Sequence, residues 1–180
     1  MFTMLAATAP SSIDPAALVR AKIQQIKSGK NRPGTIFTFS SADLNAYARS
    51  ELPKVVPEGV RQPRLELGNG TASGFAFIDL LRLRHGQGSE TPWFISKLIE
   101  GERPFRVDAR IESGRGKAVV YVQRVEISGL AVSGPTLDFL IKTFFLPFFP
   151  DAKINERFDL NDRVDRIEVS PVQARVVIRK

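Results

Sequence analysis

The chain has 180 residues, a formal net charge of +7, 43% hydrophobic residues and 25% charged residues. That length and balance suit one globular domain with a core of its own and exclude wholesale disorder. No cysteine is present, which excludes a disulfide framework and thiolate metal sites; the basic balance favours anionic partners without choosing between nucleic acid and a membrane surface.

Residues 1–12 read as a leader. Met4-Leu5-Ala6-Ala7-Thr8-Ala9 carries either the end of a shortened secretory signal, with Ala7-Thr8-Ala9 as its small-residue cleavage site, or an Ala-rich disordered start. Residues 13–180 read as one α+β domain. Asp14-Pro15 sets an N-cap before a proline at the first helical position, and Ser28-Gly29 supplies the stop. Leu18, Val19, Ile23 and Ile26 recur between them at helical spacing. A short strand over 35–39 places Phe37 and Phe39 on one face. Ser40-Ser41 then cap a helix over 42–52, with Leu44, Tyr47, Ala48 and Leu52 as its core stripe and Pro53 as its terminator.

Beyond Pro57-Glu58-Gly59 the hydrophobic period changes from helical to two. Leu65 and Leu67 alternate with Arg64 and Glu66, and Gly68-Asn69-Gly70 reverses the chain. The next strand places Phe75, Phe77, Leu81 and Leu83 on one face. Asp79 falls on that apolar stripe, where a carboxylate is costly unless paired. It is either a polar group inside a ligand cavity or turned outward by a β-bulge, and the bulge is preferred. His85 to Ser89 is a loop, and Thr91-Pro92 opens a short helix through Trp93 that ends at Gly101. Phe105, Val107, Ala109 and Ile111 alternate with Arg106, Asp108, Arg110 and Glu112. Gly114-Arg115-Gly116-Lys117 turns this strand into another over 118–127. A third helix runs from Pro135 to about Leu146, stopped by Pro147 and Pro150, and a hairpin around Ser170-Pro171 closes the chain. The sum is a mostly antiparallel sheet with helices on one side.

Catalytic constellations are not found. His85 is the single histidine, so hydrolytic triads and histidine metal clusters lack partners. The Gly68-x-Gly70 and Gly114-x-Gly116 pairs sit between strands, which makes them hairpin turns and not phosphate loops. No cofactor, metal or catalytic residue is assigned. The arginines sit at alternate strand positions facing water, and 13 phenylalanines against 2 tyrosines and 1 tryptophan favour a core or an apolar cavity over a base-stacking platform.

The most informative stretch is 126–150. Leu137, Leu140, Ile141, Phe144, Phe145 and Phe148 form a full helical stripe, and Phe139, Leu146 and Phe149 widen it. Such a helix is buried as ordinary core, lines an apolar cavity, or docks on a membrane or partner. The order of elements here is a capped helix after an early strand (Phe39-Ser40-Ser41-Ala42-Asp43-Leu44-Asn45), alternating strands ending in Ile127-Ser128-Gly129, a Gly-Pro-initiated apolar helix and a final hairpin. It resembles the YceB-like group of small bacterial envelope proteins, relatives of the tubular lipid-binding (TULIP, SMP-like) superfamily. The likeness covers roughly residues 35–180 and is one of pattern and order.

The resemblance implies a curved, mostly antiparallel sheet wrapping a long apolar helix, with additional N-terminal helices. It implies non-enzymatic binding of a lipid or another apolar small molecule in a groove between sheet and helix, in the periplasm or cell envelope. Leu137, Leu140, Ile141, Phe144, Phe145 and Phe148 would form the groove wall, with Phe75, Phe77 and Trp93 as further ligand-facing residues. A departure is the missing lipobox cysteine, and the helix opened by Thr91 looks like an insertion. An anionic membrane surface is a further partner on this expectation. Two alternatives stay open: a basic-surface module for nucleic acid or another anionic polymer, and an assembly protein that docks a partner through the Phe-rich helix end. Oligomeric state is not legible.

Overall fold

The computed structural model describes residues 14–56, 59–83, 100–161 and 163–180. The leader over 1–12, His85 and its loop, and the short helix with Trp93 lie outside the described residues. Helix α1 (Pro15–Lys27) starts where Asp14 accepts a hydrogen bond from the Ala16 N–H at 3.0 Å, and the chain leaves it through Gly29 at φ 68°. Strand β1 (Ile36–Ser40) follows with Phe37 and Phe39 buried. Helix α2 (Ser41–Val55) opens with a reciprocal cap between Ser40 and Asp43. It runs past Pro53, contrary to the expected stop. In the last turn a proline removes one intrahelical bond without ending the helix, which closes where the Val56 N–H donates to the Leu52 carbonyl.

Strands β2 (Val60–Leu67), β3 (Thr71–Asp79), β4 (Glu102–Gly114), β5 (Lys117–Ile127) and β6 (Leu130–Val132) form an antiparallel sheet in chain order, with β7 (Arg157–Asp159) also paired to β5. The β4–β5 turn has positive φ at both Arg115 and Gly116, the geometry that matches the twist of a two-residue hairpin. Strands β8 (Val164–Ser170) and β9 (Gln173–Ile178) pair with β1 in a second antiparallel sheet, ordered β1-β9-β8.

Between β3 and β4 the expected strand over Leu81 and Leu83 is replaced by a short helix, α3 (Leu80–Leu83). Asp79 is the cause. Its carboxylate accepts from the Arg82 N–H at 3.1 Å and pairs with the Arg82 guanidinium at 3.3 Å, so it caps a helical turn at the strand's end. It neither enters a cavity nor needs a bulge.

The expectation of a sheet wrapping a long apolar helix is overturned. After Gly134-Pro135 the chain makes α4 (Gly134–Leu140), seven residues long, which passes into a five-residue π-helical turn, Ile141–Phe145. Turns follow through Pro147 to Asp151. Two prolines in four positions deny the segment the N–H groups and backbone angles a longer helix requires. Among the described residues no helix is long and apolar enough to cross a membrane.

Two cores result. Val19 and Ile26 of α1 pack with Phe37, Phe39, Val164 and Ile178 against the small sheet, joined by Leu44 and Tyr47 of α2. Leu80, Ile127, Val132, Leu140 and Phe144 form the other, against the large sheet. The sheets meet along the outer edge of β8. Gly70 and Gly116, at the hairpin tips of the large sheet, donate to the carbonyls of Val169 and Asp165. Between them the Ser113 hydroxyl accepts from the Ile167 N–H at 2.8 Å and donates to the Ile167 carbonyl at 2.6 Å.

Ser113 thus satisfies both polar groups of Ile167 on the outer edge of β8. Ser113→Ala leaves both without a protein partner, so unfolding stability is expected to fall by about 1–3 kcal/mol. Chemical denaturation checks this; a midpoint equal to the parent's would show that water replaces the hydroxyl at no cost.

Candidate functional site

Strand alternation divides the large sheet into two unlike faces. On one, the rows Leu65–Gly74–Val107–Val125 and Ala76–Phe105–Ile127 carry aliphatic, aromatic or no side chains. A bulge in β5 opposite Asp108 and Ala109 skips one residue, so Val120, Val122 and Val125 all reach this face in spite of their uneven spacing. Above it sit Ala48, Leu52 and Val56 at successive turns of α2, and the α4 segment with the turns that follow.

The layers do not close completely. Between them lies a cavity of about 510 Å³, lined on the sheet side by residues such as Gly74, Ala76, Ala109 and Val122. The cover contributes Leu137, Leu140, Ile141, Phe144, Phe145 and Phe148, together with Phe149 and Ile154. Leu140 and Phe144 are buried, whereas Phe145 is 38% exposed and its ring stacks on Phe149 at 4.8 Å. Gly74 shows the emptiness most directly: a Cβ built there would meet no atom within 4 Å.

The six residues expected from the helical stripe therefore converge on one wall, although the helix that carries them is short. Phe75 and Phe77 do not belong to the apolar face. Phe75 borders the cavity, but its ring lies under the guanidinium groups of Arg64 at 4.6 Å and Arg106 at 5.1 Å, on the charged side of the sheet. Phe77, two residues on, is 40% exposed and does not line the cavity. The physical reason is phase: Gly74, Ala76 and Ile78 hold the inner positions of β3. Trp93 lies outside the described residues. Ala48 and Leu52, expected on the core stripe of α2, line the cavity as well, whereas Val56 and the valines of β5 are not singled out by the sequence pattern.

Every described lining residue is apolar except Arg64, whose guanidinium pairs with Glu66 at 3.2 Å. Among the described residues no three acidic or histidine side chains cluster as a metal site. Among the described residues the wall offers no nucleophile, acid or base; what those residues can do is exclude water from hydrocarbon.

The opposite face is charged but internally compensated. Arg64–Glu66, Arg106–Asp108, Arg110–Glu112, Arg124–Glu126 and, on β8, Arg166–Glu168 each pair two residues apart on one side of a strand. Arg61 adds a pair with Glu102. These arginines do not form an uncompensated basic strip. The Ser73 hydroxyl at 2.6 Å and the Arg106 guanidinium at 3.0 Å hold the Asp108 carboxyl below the ordinary aspartate value. Arg166 and Arg175 do the same for Glu168.

No protein-family model matches the chain, and neither a curated protein nor a solved structure matches it.

Carboxylates held low in the folded chain stabilise it above their unfolded values, and that contribution disappears as the pH falls through the folded ones. Denaturation midpoints are therefore expected to drop on acidification from the ordinary carboxylate range downward. Asp108→Asn combined with Glu168→Gln should flatten that slope. An unchanged slope in the double variant would place the acid sensitivity elsewhere.

Proposed function

We propose that the protein binds a lipid or another apolar ligand in the cavity between the large sheet and its cover. One observation carries this: an apolar space of about 510 Å³ bounded by valines, leucines and phenylalanines, with an open position above Gly74. Its volume falls within the roughly 300–1,000 Å³ usual for small-molecule sites. Each methylene moved from water to such a wall contributes about 0.8 kcal/mol, so a chain of ordinary length offsets the several kcal/mol lost on association. The long helix implied by the resemblance to tubular lipid-binding proteins is not there, so the proposal rests on the cavity and its lining.

Two measurements test it. Solvent extraction of the purified protein followed by lipid mass spectrometry should recover a hydrocarbon-tailed molecule, or the extracted protein should take one up. Gly74→Leu should then weaken uptake by about tenfold or more, because the new side chain occupies the space a ligand needs. Its stability should hold, since glycine inside a strand packs nothing and costs chain entropy. A protein that carries and accepts no such molecule would remove the proposal.

A further inference from the structure

The cavity wall restricts what kind of ligand it can hold, granted that it holds an apolar one. Among the described residues, the side chains facing it bring neither a hydrogen-bond donor nor an acceptor, Arg64 at its border apart. Arg64, the one charged residue at its border among those described, has its guanidinium 4.6 Å from the Phe75 ring and 3.2 Å from Glu66, engaged on the charged side of the sheet. The main-chain groups of β3 and β4 are taken up by ladders on both sides of each strand. A hydroxyl, amide or carboxylate carried inside would give up its hydrogen bonds to water and find none in return. A polar head can therefore sit only outside the cavity.

We infer that the site recognises an unfunctionalised hydrocarbon chain, rejects chains bearing a polar group partway along, and does not distinguish the heads attached to them. This rests on the apolar-ligand reading above and narrows it to a class: single-chain amphiphiles selected by tail. Selection by loss of hydration is steep, because an unpaired buried polar group costs far more than a missing methylene.

The test is a competition assay against an environment-sensitive fluorescent fatty acid, using palmitate, cetyl alcohol and a palmitate hydroxylated at mid-chain. Palmitate and cetyl alcohol should compete within about threefold of each other, and the hydroxylated chain should be weaker by roughly tenfold or more. Arg64→Gln should leave the ratio of palmitate to cetyl alcohol unchanged. A hydroxylated chain that competes as well as palmitate overturns the inference while leaving apolar binding intact. So does a palmitate preference above tenfold that Arg64→Gln abolishes, since the head would then be read. If none of the three competes and the fluorescent probe itself does not bind, the cavity is not a lipid site and the parent proposal falls.

Discussion

Covering the inner face of the large sheet is the constraint on which the rest of this structure depends. Strand β4 is 13 residues long, about 40 Å at roughly 3.3 Å per residue, and its inner positions are apolar from Phe105 to Ile111. The helical part of its cover is seven α-helical residues and a five-residue π-helical turn, which together span only about 18 Å at 1.5 Å per residue. Helix α2 makes up part of the difference by serving both sheets. Its Leu44 and Tyr47 pack in the core of the small sheet, while Ala48, Leu52 and Val56 face the large one. Even so, among the described residues the cover is short. Small residues on the sheet, among them Gly74, Ala76 and Ala109, keep the floor low, and a Cβ built on Gly74 would meet no atom within 4 Å. The cavity is the consequence.

A wall around an empty space needs strands that stay in place without the support of packing from within. Side-chain amides and hydroxyls supply that support at the sheet edges, where a bare strand would present unpaired backbone groups. The Asn45 amide makes two 2.8 Å bonds to the N–H and carbonyl of Leu65, taking the place of a neighbour for β2. Asn155 does the same for β5, its side chain accepting from the Val122 N–H while its own backbone N–H donates to the Val120 carbonyl. Ser113 joins β8 to the large sheet in this way. Each of these residues serves a strand that borders the cavity or ties down its frame, and none of them faces the cavity itself. Polar groups hold the rim and apolar groups form the interior.

Much of this is legible in the sequence because it obeys local rules. Asp14-Pro15 and Ser40-Ser41 mark helix starts through caps, and period-two alternation in 105–112 marks β4 and the charged side of the sheet. The six-residue stripe from Leu137 to Phe148 identifies one wall of the cavity. What escapes has physical reasons. Phe75 and Phe77 look like core because they are large, but a cavity is defined by what is small, and Gly74, Ala76 and Ile78 hold the inner phase. Phe75 is instead covered by arginine side chains, which shield a ring from water and gain from its π-face. The bulge in β5 breaks alternation at one residue, and no single side chain announces it. Asp79 reads as a strand residue because strand and cap differ only in where the chain turns next. The long helix implied by the resemblance fails as well: the segment read from Pro135 to about Leu146 holds seven α-helical residues and a five-residue π-helical turn, and Pro147 and Pro150 bar its extension.

The charge pattern bears on how such a cavity would operate. Arginines on the charged side of the large sheet alternate with carboxylates two residues away, visible as Arg64-Leu65-Glu66, Arg106-Val107-Asp108, Arg110-Ile111-Glu112 and Arg124-Val125-Glu126. Pairs this exposed add little stability. They do cancel the field of the strand face that backs the cavity, so the net charge of the chain is carried away from that face. Binding at such a site would be governed by apolar transfer. Moving a hydrocarbon tail from water into it is strongly favourable, whereas moving the same tail from a bilayer exchanges one hydrocarbon surrounding for another at little net gain. Occupancy of such a site would follow the supply of free tails in its surroundings, and a change in wall volume, as at Gly74, is the most direct way to alter it.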